Sequence, residues 1–374
     1  MKLMRLTKCI NVFMLIILLG SGCKPSHQQD NKELSSMRKL PLHKKEATHQ
    51  FFGETEVTPL QINEALFHSV ADWKDDETVL YVTNNAQGSE VHTYNIFTGE
   101  TTQFYKSEFP ILQVEANEEQ TMFLIHTSPS NYEAELVIVN DEADMLYSTR
   151  VESFELNFIW NHTKTDQLFI SSFKEDWTYD TYVLNVLDKK IVKNQINQPF
   201  IQWLNDHQVT YLKWDQEEPS LTAPLYVYNM EKKSESLHVE NVVANTNFSK
   251  MISTIELFNS DGDAKVAFYD SNNLKKISEM STRLVSLYSD WSVPYLDMDE
   301  KNGIFYMLEV NEAKTAFSLV SFSTLTEEKK VLLNSIENLP IKLSPSGEYV
   351  LYGARLEQLI DVNKVTMKEL ITFN

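Results

Sequence analysis

Three polar stretches of this sequence set aromatic rings beside carboxylates, and these are where it could do chemistry. Residues 172–180 hold Asp176, Trp177 and Tyr179; residues 213–224 hold Trp214 and Asp215; residues 281–294 hold Tyr288, Asp290 and Trp291. Rings on polar loops are the make-up of interface anchors, and equally of sugar-stacking platforms. The expectation is one concave ligand-binding site lined by Trp177, Trp214 and Trp291, with Tyr179, Asp176, Asp215 and Asp290 beside them. The competing expectation is that these rings fold back over strand edges, since tryptophan is mostly buried.

Other candidates are thinner. His162 and His207 occupy similar turns and could share a metal, although surface turn histidines are commoner. Asp261-Gly262-Asp263 and the Asp297/Asp299 pair are oxygen-rich turns without the spacing of an EF-hand loop. There is no G-x-S-x-G nucleophile elbow, no H-E-x-x-H and no nucleotide-binding glycine pattern. No catalytic residue, metal or cofactor is therefore assigned. A pair of carboxylates could hydrolyse glycosides, but 53 acidic residues offer no way to choose one. Two functions stand: a binding or scaffolding module, which the missing motifs favour, and a carbohydrate-active enzyme with an acidic pair in a pocket.

The elements that must position these residues repeat. A strand of alternating apolar residues ends in Asn, Asp or Ser and is followed by a short polar turn. The anchors are Asn95, Asn140, Asn185, Asn229, Asp270, Ser323 and Asp361, 38 to 53 residues apart. Their mean step of about 44 is the length of a four-stranded propeller blade. A second hairpin lies upstream of each anchor, as in TVLYVTN and DQLFISS. The fold class is all-β: a propeller of four-stranded antiparallel blades, seven by this count, with six as the alternative. Trp73, Trp160 and Trp203 fall at equivalent places near the end of the innermost strand and are expected to pack between blades. The last blade finds all four strands in residues 339–373, so the ring should close without an N-terminal strand. In such a ring the loops between second and third strands, and between blades, share one face, which the three tryptophan loops make the expected working surface.

Composition fits a folded β domain: 42% hydrophobic, 23% charged and 11% aromatic residues. The net charge is −20 over the whole chain. Without residues 1–22, whose Lys2, Arg5 and Lys8 face no acid, 30 basic residues remain against 53 acidic ones, a net of −23. Such a surface repels nucleic acid, whose binding rests on neutralising phosphates. The two cysteines, Cys9 and Cys23, leave no disulfide framework in the rest of the chain.

The first residues form a positive n-region and an apolar run, Ile10 to Leu19, too short to span a bilayer. Gly20-Ser21-Gly22 then leads into Cys23 and resembles a bacterial lipobox, in which the cysteine is lipidated and becomes the mature N-terminus. The reading is a signal peptide at 1–22, a lipidated N-terminus and flexible tether at 23–60, and a propeller domain at 61–374. It implies a monomer anchored on the extracytoplasmic face of a Gram-positive cell membrane, with an envelope protein or wall glycan as partner.

The words that end the chain are the most recognisable. Leu343-Ser344-Pro345-Ser346-Gly347-Glu348-Tyr349-Val350 resembles the strand–turn–strand of TolB-like propellers, with Ser346 where Asp is usual. Lipobox, tether and acidic propeller together resemble the YqgU-like propeller lipoproteins of bacilli. That resemblance implies six blades, against the seven counted here, and carries over no catalytic residue.

Overall fold

A computed structural model describes residues 56–374, apart from Gln195, Gln216, Glu218, Pro219, Tyr288 and Ser289. Cys23 and most of the expected tether lie outside the described residues. Five four-stranded antiparallel sheets and one seven-stranded sheet follow one another along the chain. The seven-stranded sheet is two blades joined by one long strand, Ser234–Asn247. Its first part pairs with Ala223–Asn229 and its last part with Met251–Leu257. Counted this way, the described residues form seven blades. Asn241, at positive φ, lies between the two pairings, which meet at Val242.

Each sequence anchor is the last residue of its blade's third strand, from Gly88–Asn95 in blade 1 to Gln358–Asp361 in blade 7. Chemistry explains the residue type. Asn95 Oδ1 accepts from the Phe97 and Thr98 amides, Asn140 Oδ1 from Glu142 and Asp144, and Asp270 Oδ1 from Asn272 and Asn273. A short side-chain acceptor at the strand end thus caps the turn to the fourth strand. Asn185 differs, accepting from Lys164 Nζ and Gln167 Nε2 instead.

Burial is greatest in the second strands and least in the outermost ones. In Gln167–Phe173, the second strand of blade 3, every residue is buried, because neighbouring blades cover both faces of the sheet. In Thr366–Glu369, the outermost strand of blade 7, every residue is exposed. The apolar clusters accordingly lie between blades, as where Phe123 and Ile125 of blade 2 meet Leu80 and Val91 of blade 1.

The 53-residue step between Asp270 and Ser323 has a cause. A hairpin, Val285–Leu287 paired with Asp290–Ser292, is inserted between blades 5 and 6. Trp291 from this hairpin packs into the core with Phe268, Met298 and Phe305. Gly262 makes room for it at a φ of 90°, and a Cβ there would come within 2.4 Å of the Leu284 carbonyl oxygen and 3.1 Å of the Trp291 ring. Gly262→Ala is expected to cost about 2 kcal/mol from the left-handed backbone and this clash. Denaturant unfolding of the variant checks it.

The ring closes as the sequence reading expects. Ile341–Leu343, Tyr349–Tyr352, Gln358–Asp361 and Thr366–Glu369 make blade 7 entirely from the C-terminal region. The N-terminal strand Leu60–Ile62 pairs in parallel with Ile371–Phe373 as a separate two-stranded sheet beside the seam. The boundary drawn at residue 61 moves earlier. Val57 and Leu60 pack on the core between blades 1 and 7, and the Thr58 amide donates to Ile96 O at 2.8 Å.

Candidate functional site

The loop site expected from sequence is not assembled as one cluster. Trp291 is 5% exposed and belongs to the core, because the inserted hairpin folds back between blades 5 and 6 and carries the ring inward. That corrects the expectation for Trp291. Asp290 opens the inserted strand, and Tyr288 lies outside the described residues. Trp177 and Trp214 are 62% and 46% exposed. Trp177 and Tyr179 pack with Phe200 around the Phe173 ring, at centroid distances from 5.4 to 6.2 Å. Asp176 caps its own turn by accepting from Thr178, and Asp215 does the same for Glu217.

A cavity opens at the other face. It has a volume of about 590 Å³ and takes wall residues from six of the seven blades, which places it on the ring axis. Its walls are the ends of first strands and the turns that follow: Asp72 and Trp73, Glu115 to Glu118, Ile159, Trp160 and His162, Asp297 to Lys301, and Lys342 to Pro345. Strands alternate in direction within a blade. The turns after first strands therefore sit opposite the Trp177 and Trp214 loops, which follow second strands.

One position in the repeat builds this site. Asp72, Glu115, Ile159, Asp297 and Lys342 each precede the residue that tucks between blades: Trp73, Ala116, Trp160, Met298 and Leu343. Asp72 and Asp297 are used alike. Each accepts the amide of its own next residue, at 2.7 and 2.8 Å. Each also accepts an amide from the next blade, Ala116 N at 2.8 Å and Leu343 N at 2.7 Å. These two carboxylates tie neighbouring blades together. Asp72 also receives Lys342 Nζ at 2.5 Å.

Tryptophan supplies a second tie. Trp73 Nε1 donates to Lys342 O, and Trp203 Nε1 to Ile159 O, each at 3.2 Å and each to the blade before. The expected packing role of these rings is thus joined by a directed hydrogen bond. Trp160 occupies the equivalent place in blade 3 and is only 3% exposed, but its Nε1 has no hydrogen-bond partner among the described residues. His162, also in the wall, holds Glu118 through Nδ1 at 3.4 Å, while its buried Nε2 has no such partner. Glu115 accepts from Gln113 Nε2 at 3.0 Å.

Enclosure by the ring sets the charge states. Burial pushes the Glu115 carboxyl up from its ordinary value, against the pull of Lys342, and pushes Asp297 up to about 6 despite its two amide donors. Burial works against the Lys342 ammonium too, but Asp72, Glu115 and Asp297 overcome it and hold its pKa above the usual value. The arrangement is three acids about one lysine.

The other sequence candidates separate. His162 lines the axial cavity, whereas His207 lies in an outer surface hollow and faces Glu231 at 3.4 Å. Asp261-Gly262-Asp263 is the turn that admits Trp291, with Asp263 paired to Arg283 at 3.1 Å. Asp297 and Asp299 both reach the cavity wall. The described residues contain no group of three or more His, Cys, Asp or Glu placed to hold a metal ion.

Fold and cavity define a propeller with a charged pocket on its axis. The chain belongs to the YqgU-like 6-bladed beta propeller domain family, whose model matches residues 95–353. That span runs from the last residue of blade 1's third strand to just past blade 7's second. It holds five complete blades and parts of two, whereas the described residues form seven. A relative from Bacillus subtilis (strain 168), "Uncharacterized lipoprotein YqgU", is 27% identical over 363 residues, covering 97% of this chain and 96% of its own. Among solved structures, the uncharacterized protein lmo1340 from Listeria monocytogenes EGD-e superposes with a TM-score of 0.79 at 20% identity, over 85% of this chain and 98% of that one. The propeller domain of the Trilobed protease from Pyrococcus furiosus, described as an open velcro topology, gives 0.55 at 14% identity over 83% and 99%. At these identities the two structures speak for the fold.

Proposed function

We propose that the protein is a lipid-anchored binding module of the cell envelope. Cys23 carries the lipid, the extracytoplasmic face of the cell membrane is its address, and the axial cavity receives its ligand. The observation that carries this reading is a pocket of ligand size on the ring axis, walled by charged side chains. The lipobox-like sequence and the lipoprotein name of the Bacillus relative support the anchor. Thr58 bonds to the turn after blade 1's third strand, so the described chain begins on the face where the cavity opens.

Binding is favoured over glycoside hydrolysis by what the carboxylates already do. That chemistry needs two carboxyl groups able to give and take protons at the scissile bond. Asp72 and Asp297 each hold two backbone amides, Asp299 and Glu300 hold backbone amides too, and Glu118 faces His162, which leaves Glu115 bound only by the Gln113 side chain.

A second reading places an envelope protein on the opposite face, where Trp177, Tyr179 and Phe200 surround Phe173. A photoreactive residue at Gln120, in the cavity wall, is expected to crosslink an envelope component in intact cells. Crosslinking from position 177 alone would move the working surface to the other face. For the anchor, Cys23→Ala should release the protein from the membrane fraction; a variant that stays there argues against lipidation as the means of attachment.

A further inference from the structure

Resting on the reading that an envelope protein meets the face opposite the cavity, we infer that this face carries an aromatic and acidic platform for an arginine-bearing basic segment of that partner. The platform is independent of the cavity, and either can bind while the other stays empty. Phe173 ends the second strand of blade 3, and its register partners are Glu155 of the first strand and Tyr179 of the third. Paired residues of an antiparallel sheet share a face, so these three form one row. Phe200, from the link to blade 4, stacks on the Phe173 ring at 5.4 Å, and Trp177 stands steeply inclined to it at 6.2 Å. Phe173 is buried, whereas Phe200 is 65% exposed and Trp177 nearly as much.

The turn that holds Trp177 suits another residue. The Trp177 amide donates to Lys174 O, and the backbone there is left-handed, at a φ of 64°. In blade 5 the matching turn has Gly262 donating to Asn259 O, also at positive φ. Glycine takes this conformation without strain, and a bulky residue does not. Trp177 is the one aromatic residue at positive φ among the described residues. A large ring held in a strained turn and left in water is placed for contact with something else.

Charge selects the occupant. Lys174 and Lys193 both turn to Asp180, at 3.9 and 2.6 Å. Glu155, in the row with Phe173, and Glu175 and Asp176, beside Trp177, are exposed and make no ion pair among the described residues. Ring faces edged by such carboxylates attract cations. A guanidinium group lies flat on a ring while its N–H fork reaches a carboxylate, which a compact ammonium cannot do. Phosphate-bearing envelope components are repelled by the same acids.

The test is calorimetric titration of the full-length protein in detergent, at physiological ionic strength, with nona-arginine and with maltohexaose. Trp177→Gly, Phe200→Ser and the double variant remove rings and no charge, so the general attraction of an acidic protein for arginine is the same in each. Leu325→Ser, in an exposed turn on the cavity side, controls for loss of a surface apolar group. Nona-arginine is expected to bind wild type and Leu325→Ser alike, each single ring variant about threefold more weakly and the double variant about tenfold. Trp177→Gly should keep the wild-type thermal midpoint, because its turn then matches that of Gly262, so weaker binding there is not misfolding. Equal binding by wild type and the double variant overturns the inference. Maltohexaose binding that the double variant weakens overturns the partner class and makes the platform a saccharide surface. If the ring variants bind nona-arginine unchanged yet position 177 still crosslinks an envelope protein in cells, the face stands and the basic partner falls.

Discussion

Replacing Lys342 with methionine is expected to lower the unfolding free energy by about 2 kcal/mol, between the cost of breaking a buried ion pair and a surface one, because the lysine is a third exposed while its partner Asp72 is buried. The Asp72 side chain is only 5% exposed and would keep its two amide donors but lose its cation. Glu115 and Asp297 would lose the same counter-charge. Methionine retains most of the aliphatic stem, so packing changes little and the loss is mainly electrostatic. Adding Asp72→Asn to the same chain should restore roughly half of the loss, because the uncompensated charge is then gone. Equilibrium unfolding in urea reads both. A Lys342→Met protein within about 0.5 kcal/mol of wild type would mean the pair is worth no more than a surface salt bridge.

Acid stability should respond in opposite senses to two substitutions. Asp297 has its folded pKa raised by burial to about 6. The folded state then holds this proton more tightly than the unfolded chain, and the contribution is fully present below the unfolded value near 4. It is lost as pH rises towards 6. His126 runs the other way, with burial lowering it to about 4. Its contribution is present above the unfolded value near 6.5 and is lost as pH falls towards 4. Each shift corresponds to a change on the order of 3 kcal/mol across the same window, so in wild type they largely offset. Asp297→Asn should therefore make the protein lose stability more steeply on acidification from pH 6.5 to 4. His126→Asn should flatten that loss or reverse it. Unfolding free energies at several pH values decide the matter, and parallel profiles for the two variants would refute the assignment.

What could be read in the sequence follows the chemistry of each position. The seven strand-end anchors were visible because a turn capped by its own side chain demands Asn, Asp or Ser, and Asn95, Asn140 and Asp270 show that demand directly. Blade 5 was faint because Ser234–Asn247 serves two blades, so no turn separates its first strand from blade 4. The exposure of Trp177 and Trp214 was legible from their polar neighbours. Trp291, in an equally polar stretch, is buried because its hairpin packs into a gap between blades, a contact distant in sequence. The axial site was missed for a different reason. Asp72, Glu115, Asp297 and Lys342 share no single residue type, only a place in the repeat. Aligning the blades on Trp73, Trp160 and Trp203 would have brought Asp72 and Ile159 into one column, and Lys342 with them. Attention instead went to loop composition, which marked the opposite face.

The parallel pairing of Leu60–Ile62 with Ile371–Phe373 has a mechanical meaning if, as proposed, the protein hangs from a membrane by its N-terminus. Pulling on the chain before Thr58 draws the short strand along its own axis, so its bonds to the C-terminal strand are loaded together in shear instead of unzipping one at a time. The load passes at once into blade 1, through the continuous chain and the Thr58 bonds to Ile96 and Phe97, and into blade 7 through Leu370. A pull on the N-terminal chain would thus load both lips of the seam at the same time, and the joint that no shared blade strand closes is gripped by the strand that takes the pull.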